Sequence, residues 1–338
     1  MQILHNHFRQ KGGFGEISSA FLPSIDAASP QRLLIRCPVA NVTPMVAIPD
    51  FGGAGHVFVK DERTRMGVGS FKALGAAYVV AHAAQSEDQN GKTYVTASAG
   101  NHGISVAAGS KVFGAKAVVY LSHQVPKEFS ARLEAHGATV VWAGNDYAES
   151  LEAAEAAALK NGWSLLSDTS WENYVDIPRR LMEGYLVAAA EAAKQIPSTP
   201  SHILLQAGVG GLACAAAAYF RQVWGDDPNI IVVEPEVAPA LYHSIKTGRL
   251  ATCEGPASIM GRLDCKTPSL IALNGLARDA DSFLLISDEE VKEALPVLKN
   301  QGLETSASGG APLAALFHGI SGVEPESNVL CFVSEQNV

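Results

Sequence analysis

The sequence is short of charge, of aromatic rings, of paired cysteines and of long apolar runs, and each shortage excludes a class of protein. Charged residues are 17% of the 338 and hydrophobic residues 47%, too apolar for a disordered chain and too weakly charged for a surface-dominated coiled coil. Basic residues are outnumbered, 25 Lys plus Arg against 34 Asp plus Glu, for a net charge of −9. The summed field repels phosphate backbones, so nucleic acid is not expected as a partner. Cys37, Cys214, Cys253, Cys265 and Cys331 are odd in number and scattered, without a C-x-x-C pair or histidines at zinc spacing. They read as reduced thiols, with no metal site and no disulfide framework. His5 and His7 have no third ligand nearby and read as solvated residues of a mobile N-terminus. No apolar stretch runs far enough to span a bilayer without a Gly, Pro or charge, and MQILHNHFRQKGG opens with polar and basic residues. No membrane association is expected, and the location is read as cytoplasmic.

What the chain does have is alternation. From residue 93 it reads TYVTAS, GISVAAGSKVFG, AKAVVYLS, PKEFSARLEAHG, ATVVWAG, DYAESLEAAEAAALKNG and WSLLSD. Short β-branched runs alternate with Ala-rich segments that end in glycine, the pattern of βαβ units around a parallel sheet. Tyr147, Leu151, Ala154 and Ala158 fall on one face of a helix that Gly162 stops. A second series follows: a long helix over 178–193, the strand HILLQ, the helix GGLACAAAAYFRQVWG and the strand NIIVVEP. The length is about twice that of a usual domain. We therefore expect a two-lobe α/β protein: a small α/β domain over 85–177, inserted in a large cofactor-binding domain of 1–84 plus 178–338.

Four segments carry candidate chemistry. In VKDERTRMGVGSFKALG, Lys72 stands at a helix start, where a cation is disfavoured and a desolvated amine has a lowered pKa, the condition for a nucleophile. Alone, it also reads as an ordinary surface lysine, and Lys60, beside Asp61 and Glu62, reads as part of a solvated charge cluster. In QAGVGG, Gly208, Gly210 and Gly211 lie between a buried strand and a helix, where free backbone N–H groups suit a phosphate. The same turn satisfies G-x-G-x-x-A with Glu234 ending the next strand, which keeps a dinucleotide open. In TASAGNHG, Ser98, Ala99, Gly100 and Asn101 form a polar loop at a helix start, a cradle for a carboxylate, or else Asn101 and His102 are turn and capping residues. The tail FVSEQN ends an apolar strand at Ser334 and Glu335, which alone reads as a frayed terminus.

Taken together and in order, VKDERTRMGVGSFKALG, TASAGNHG, SDTSWENYVDIP, QAGVGG, IIVVEP, SIMGRLDC, SASGGA and FVSEQN resemble the fold type II pyridoxal-phosphate enzymes, the tryptophan synthase β-like group. Within it the chain is similar to diaminopropionate ammonia-lyase, with threonine dehydratase-like features. The resemblance implies that Lys72 links covalently to pyridoxal 5′-phosphate, that Asn101 bonds the phenolic oxygen, that Gly208, Val209, Gly210 and Gly211 hold the phosphate and that Ser334 meets the ring nitrogen. It implies that Ser98, Ala99, Gly100 and Asn101 bind substrate, and that Asp168, in the segment with Trp171, Glu172 and Tyr174, binds or activates an ammonium leaving group. A helix N-cap ahead of TSWENY is the other reading of Asp168. A homodimer is the family expectation.

Two positions depart from the ammonia-lyase pattern. Ala99 stands where those enzymes carry an aspartate assigned to the D-isomer, and Ala307, in SASGGA, where they carry a glutamate. The expected function is α,β-elimination from a small amino acid, giving ammonia and a 2-oxo acid, with diaminopropionate ammonia-lyase activity first. Serine, threonine or hydroxyaspartate dehydratase activity is the alternative. A nucleotide-binding oxidoreductase and a non-catalytic cofactor-binding relative are the readings of another class.

Overall fold

A computed structural model describes residues 1–15 and 18–337. The chain begins with β1 (Gln2–His5) and α1 (Ala28–Leu34), then forms a hairpin of β2 (Met45–Phe51) and β3 (Ala54–Asp61) that leads to α2 (Lys72–Ala83). Next come β4 (Thr93–Ala97), α3 (Asn101–Val112), β5 (Lys116–Leu121), α4 (Glu128–Ala135), β6 (Ala138–Trp142), α5 (Tyr147–Asn161) and β7 (Ser164–Leu165). The long α6 (Asp176–Gln195) opens the rest: β8 (His202–Gln206), α7 (Gly211–Trp224), β9 (Asn229–Pro235), α8 (Ala240–Thr247), α9 (Leu270–Asp279), β10 (Ser282–Ile286), α10 (Asp288–Asn300), α11 (Ala307–Phe317) and β11 (Asn328–Val333).

The strands form two sheets. One has the order β1-β10-β9-β8-β11-β3-β2, parallel except for its two edge strands; the other, β6-β5-β4-β7, is parallel throughout. The four strands of the second sheet lie between residues 93 and 165, in the expected α/β series. Every residue of β8 and β10 is buried, as parallel strands covered by helices on both faces must be. β1 was expected to be part of a mobile terminus; it pairs with β10 instead, and Asn6 donates to the carbonyls of Leu276, Ala277 and Ala280 at the end of α9. All five cysteines are free thiols, and no helix among the described residues is long and apolar enough to cross a membrane.

Small residues set the helix packing behind the site. A Cβ on Gly184 of α6 would lie 2.6 Å from the Leu74 carbonyl and 2.7 Å from Gly75 Cα of α2. The two helices therefore touch backbone to backbone, less than one turn from Lys72, and the start of α2 is held against α6.

The solvated charge cluster expected around Lys60 is instead a buried network. Lys60 is fully buried and donates to Glu191 Oε2 at 2.6 Å, the Thr43 carbonyl at 2.7 Å and Gln195 Oε1 at 2.9 Å. Arg65, also buried, donates to Glu62 at 2.7 and 2.8 Å, to Glu191 at 2.6 and 3.0 Å and to Thr43 Oγ1 at 2.8 Å. Two cations and two carboxylates neutralise one another where solvent is absent, the condition under which charges can be buried. They tie the segment after β3 to α6.

Candidate active site

The carboxyl ends of the parallel strands and the amino ends of the following helices converge on Lys72. The β3–α2 connection delivers the lysine, and β7 leads through Leu166 and Ser167 to Asp168. The β4–α3 loop delivers Ser98 to Asn101, the β8–α7 turn Gly208 to Gly211, and the end of β11 Ser334. This is the crevice where open α/β sheets bind ligands.

Lys72 Nζ and Asp168 Oδ2 form an ion pair. The amine stands 5.3 Å from the centroid of the Phe71 ring and 5.9 Å from that of Tyr185. Burial would lower the amine, as expected from its place at a helix start, but the Asp168 carboxylate outweighs burial and holds it well above the ordinary lysine range. Burial likewise works against ionised Asp168, and Lys72 and then His102 reverse it, so the carboxyl lies well below its usual range. Without a cofactor attached, the pair therefore favours the ammonium form of Lys72.

Asp168 is not a helix cap, because residues 168–174 are irregular and α6 begins only at Asp176. Tyr174 accepts from Ser167 N at 3.1 Å, donates to the Leu165 carbonyl at 2.8 Å and stacks on Trp171 at 4.5 Å. Ser170 Oγ lies 2.7 Å from Ser269 Oγ and accepts from Ile271 N at 2.9 Å at the start of α9. Both ends of the segment are thus fixed, and the carboxylate with them. Tyr147, expected on the buried face of α5, is 52% exposed and turned toward Asp168; Ala154 and Ala158 are buried as expected.

The glycine turn has the features of an anion cradle. Gly210 has φ +96° and opens α7, and the N–H groups of Gly208, Gly210 and Gly211 make no hydrogen bond among the described residues. The Val209 carbonyl accepts from Ser269 N at 3.0 Å, which locks the turn. A Cβ on Gly208 would meet Cys265 Sγ at 3.0 Å and the Arg262 carbonyl at 3.1 Å, so no larger residue fits without movement. Glu234, the candidate ribose ligand, faces elsewhere: its carboxylate accepts from Leu241 N at 2.8 Å and Tyr242 N at 2.7 Å.

Asn101 and His102 are buried in the first turn of α3 rather than serving as turn residues. His102 Nε2 donates to the Leu166 carbonyl at 2.8 Å, which leaves Nδ1 as an acceptor, buried and without a partner. Ser334 and Glu335 are each 3% exposed and not frayed; the Ser334 carbonyl accepts from Phe71 N at 3.1 Å, directly before Lys72. Glu335 was not among the expected site residues. Its Oε2 accepts from Asn101 Nδ2 at 2.6 Å, and its Oε1 from Arg262 at 2.8 Å and from Ser306. A carboxylate therefore lies between the segments of Ala99 and Ala307, the two positions lacking one. The signal was present in the tail, a glutamate directly after the serine that ends an apolar strand.

The profile of the family "Pyridoxal-phosphate dependent enzyme" matches residues 38–335. The chain belongs to that family. It is 34% identical over 265 residues to the diaminopropionate ammonia-lyase of Salmonella typhimurium, covering 70% of this chain and 65% of that protein, just under two thirds of its length. To the Escherichia coli K12 enzyme of the same name it is 31% identical over 283 residues, 76% of this chain and 71% of that one. A crystal structure of the Escherichia coli diaminopropionate ammonia lyase with an aminoacrylate-PLP azomethine reaction intermediate superposes with a TM-score of 0.88 at 28% identity, covering 99% of this chain and 93% of that one. The fold is thus the expected two-sheet fold of the fold type II pyridoxal-phosphate enzymes.

The residues present fit the family's cofactor. A primary amine, three free N–H groups within one turn at a helix start, and a glycine that leaves the backbone clear are what an aldehyde bearing a phosphate requires. Cys265 also lines this pocket, beside Gly208, its thiol pushed up to about 12 by burial and by Asp168. At neutral pH it is an uncharged wall and not a nucleophile.

Proposed function

We propose that this pyridoxal-phosphate enzyme is an ammonia-lyase that eliminates the β-amino group of L-2,3-diaminopropionate, giving a 2-oxo acid and ammonia. The observation that carries this reading is the Lys72–Asp168 pair, an amine beside a carboxylate that already accepts an ammonium. In this reading Lys72 holds the cofactor, Gly208 to Gly211 its phosphate, Asn101 its phenolic oxygen through the N–H not given to Glu335, and Ser334 its ring nitrogen. Ser98, Ala99, Gly100 and Asn101 receive the substrate carboxylate at the start of α3. Bound there, pyridoxal phosphate supplies the electron sink for charge developing at Cα. Lys72, once displaced by substrate, takes the Cα proton and returns a proton to the departing nitrogen, while Asp168 attracts that nitrogen as an ammonium.

Release of ammonia and 2-oxo acid from L-2,3-diaminopropionate, L-serine and L-threonine tests the reading. The expected result is a kcat/KM for diaminopropionate at least about tenfold above the others; a higher value for serine or threonine overturns it in favour of a dehydratase. The observation favouring that second reading is Ala99, which supplies no carboxylate beside Asn101. The same position predicts stereoselectivity. With no acid at Ala99 to serve the opposite face, D-2,3-diaminopropionate is expected to turn over roughly 100-fold more slowly than the L-isomer.

We further propose two lobes, 85–177 around the four-stranded sheet and the remainder around the seven-stranded one, and a cytoplasmic location, supported by the five free thiols. A second copy of the chain is the proposed partner. Supporting this, a largely apolar cavity of about 430 Å³ opens between α1, α2 and α3, lined by Leu33, Val39, Ala77, Val112 and Phe113, with Val39 49% and Val112 68% exposed. Val112→Glu is expected to convert a dimer to a monomer in sedimentation equilibrium; a wild-type monomer at micromolar concentration refutes the proposal.

A further inference from the structure

Tyr185 is a buried acid beside Lys72 with no evident task. It lies on α6, 1% exposed, edge-on to Phe71 with centroids 4.8 Å apart at 68°. Its ring is held on two sides: a Cβ on Gly75 would meet Cε1 at 2.6 Å, and one on Gly211, in the glycine turn, would meet Cε2 at 3.6 Å. The ring therefore packs between α2 and the glycine turn. Its hydroxyl is buried and makes no hydrogen bond of regular geometry among the described residues, and the one side chain that approaches it as a hydrogen-bond partner is Lys72. A buried hydroxyl without a well-formed hydrogen bond is unfavourable, and phenylalanine would pack the same space without it. An unsatisfied buried group of this kind calls for a reason other than packing. The nearest charges acting on it are the Lys72 ammonium and the Asp168 carboxylate.

We propose that Tyr185 is a positioning residue for Lys72, its Oη accepting an N–H of the amine once substrate has displaced the lysine. This rests on the reading of Lys72 as the proton carrier. A neutral amine has two N–H bonds and one lone pair. With Asp168 accepting one N–H and Tyr185 the other, the lone pair is left to face the open cleft, where the substrate Cα must lie. After the proton is taken, the same two acceptors hold two of the three N–H bonds of the ammonium, and the third faces the leaving group. No proton is gained or lost by Tyr185. Without Oη the amine keeps one anchor and rotates about its last bonds, so fewer of its orientations are reactive.

Tyr185→Phe, loaded with pyridoxal phosphate, tests this with two substrates. With L-2,3-diaminopropionate, kcat is expected to fall roughly 10- to 100-fold with KM little changed. The acid limb of the kcat–pH profile should move to lower pH, because an acceptor that favours the ammonium has gone. With L-alanine, which has no leaving group, exchange of the Cα proton in D2O followed by NMR should slow by a similar factor. The melting temperature should stay the same or rise, and cofactor affinity should change less than about twofold. Wild-type exchange and an unshifted pH profile in the variant overturn the proposal. So does weakened cofactor binding with normal kcat at saturating cofactor, which would give the hydroxyl to the phosphate. Absence of ammonia release by the wild type, with alanine exchange intact and slowed by the substitution, would instead overturn the elimination reading and leave the role of Tyr185 standing.

Discussion

Lys72→Ala is expected to lower turnover of L-2,3-diaminopropionate by at least about 10⁴-fold and to remove the visible absorption band of the cofactor-loaded protein, because one side chain supplies both the covalent attachment and the base. Added pyridoxal phosphate should still bind through Gly208 to Gly211, more weakly, without recovering the band. Asp168→Asn separates the two roles. With the carboxylate gone, burial, the largest influence on Lys72, is opposed only by Tyr185 and Cys265, which are uncharged at neutral pH, and the amine is expected to fall from above the ordinary lysine range to below it. More free amine is then present at neutral pH, so the apoprotein should take up pyridoxal phosphate faster than the wild type, while steady-state turnover falls roughly 100-fold for want of a counter-charge to the leaving ammonium. Stopped-flow absorbance and ammonia release measure the two on one preparation; slower uptake together with normal turnover would refute both roles of Asp168. The stability linkage has a definite sign. The raised Lys72 contributes fully below its unfolded value of about 10.4 and loses the contribution as pH rises through its folded value; the depressed Asp168 contributes above about 3.9 and loses it as pH falls. The wild type is therefore flat from about pH 5 to 9, whereas Asp168→Asn, whose buried amine titrates below its unfolded value, gains stability as pH rises, so the melting-temperature difference between them is expected to be largest near pH 5 and to narrow toward pH 9.

The elements around this pair were legible because they are local. HILLQ is apolar throughout and is buried at all five positions, and Gly162 ends α5 at φ +65° as its place in the sequence implies. What failed depends on partners far along the chain. Lys60 reads as solvated beside Asp61 and Glu62 because Glu191, which makes its burial tolerable, is 131 residues away. Lys72 reads as an amine of lowered pKa because its local setting shows the helix start and not Asp168, 96 residues on. Tyr147 fits an apolar helical face by spacing, yet as the first residue of α5 it lies beyond the sheet that the face covers and turns to the cleft. Glu335 stands three residues from the chain end, where fraying is the usual expectation. It is held by a bridge to Ser70 and by the Thr305 hydroxyl donating to its carbonyl at 2.5 Å, neither visible in a local pattern.

Glu191→Ala is expected to destabilise the protein by about 3–5 kcal/mol, the typical cost of breaking a buried ion pair from one side. The network of Lys60, Glu62, Arg65 and Glu191 is neutral as it stands; removing Glu191 leaves two cations facing Glu62 alone, and both lose a hydrogen bond of 2.6 Å. Urea denaturation of the apoprotein measures the loss. Lys60→Met combined with Glu191→Met should recover more than half of it, because the pair leaves as a neutral unit and Arg65 keeps Glu62. A double variant as unstable as Glu191→Ala would mean that the network holds by shape and hydrogen bonding instead of charge balance. The consequence extends to the site. Arg65 begins the turn in which Met66, Gly67 and Gly69 all have positive φ and which ends at Lys72. Glu191 lies on α6 with Tyr185 and with Gly184, the contact against α2. Loosening this anchor frees the start of α2 and α6 together, so Glu191→Ala should also lower kcat at temperatures well below its melting point, and the double methionine variant should restore kcat in step with stability.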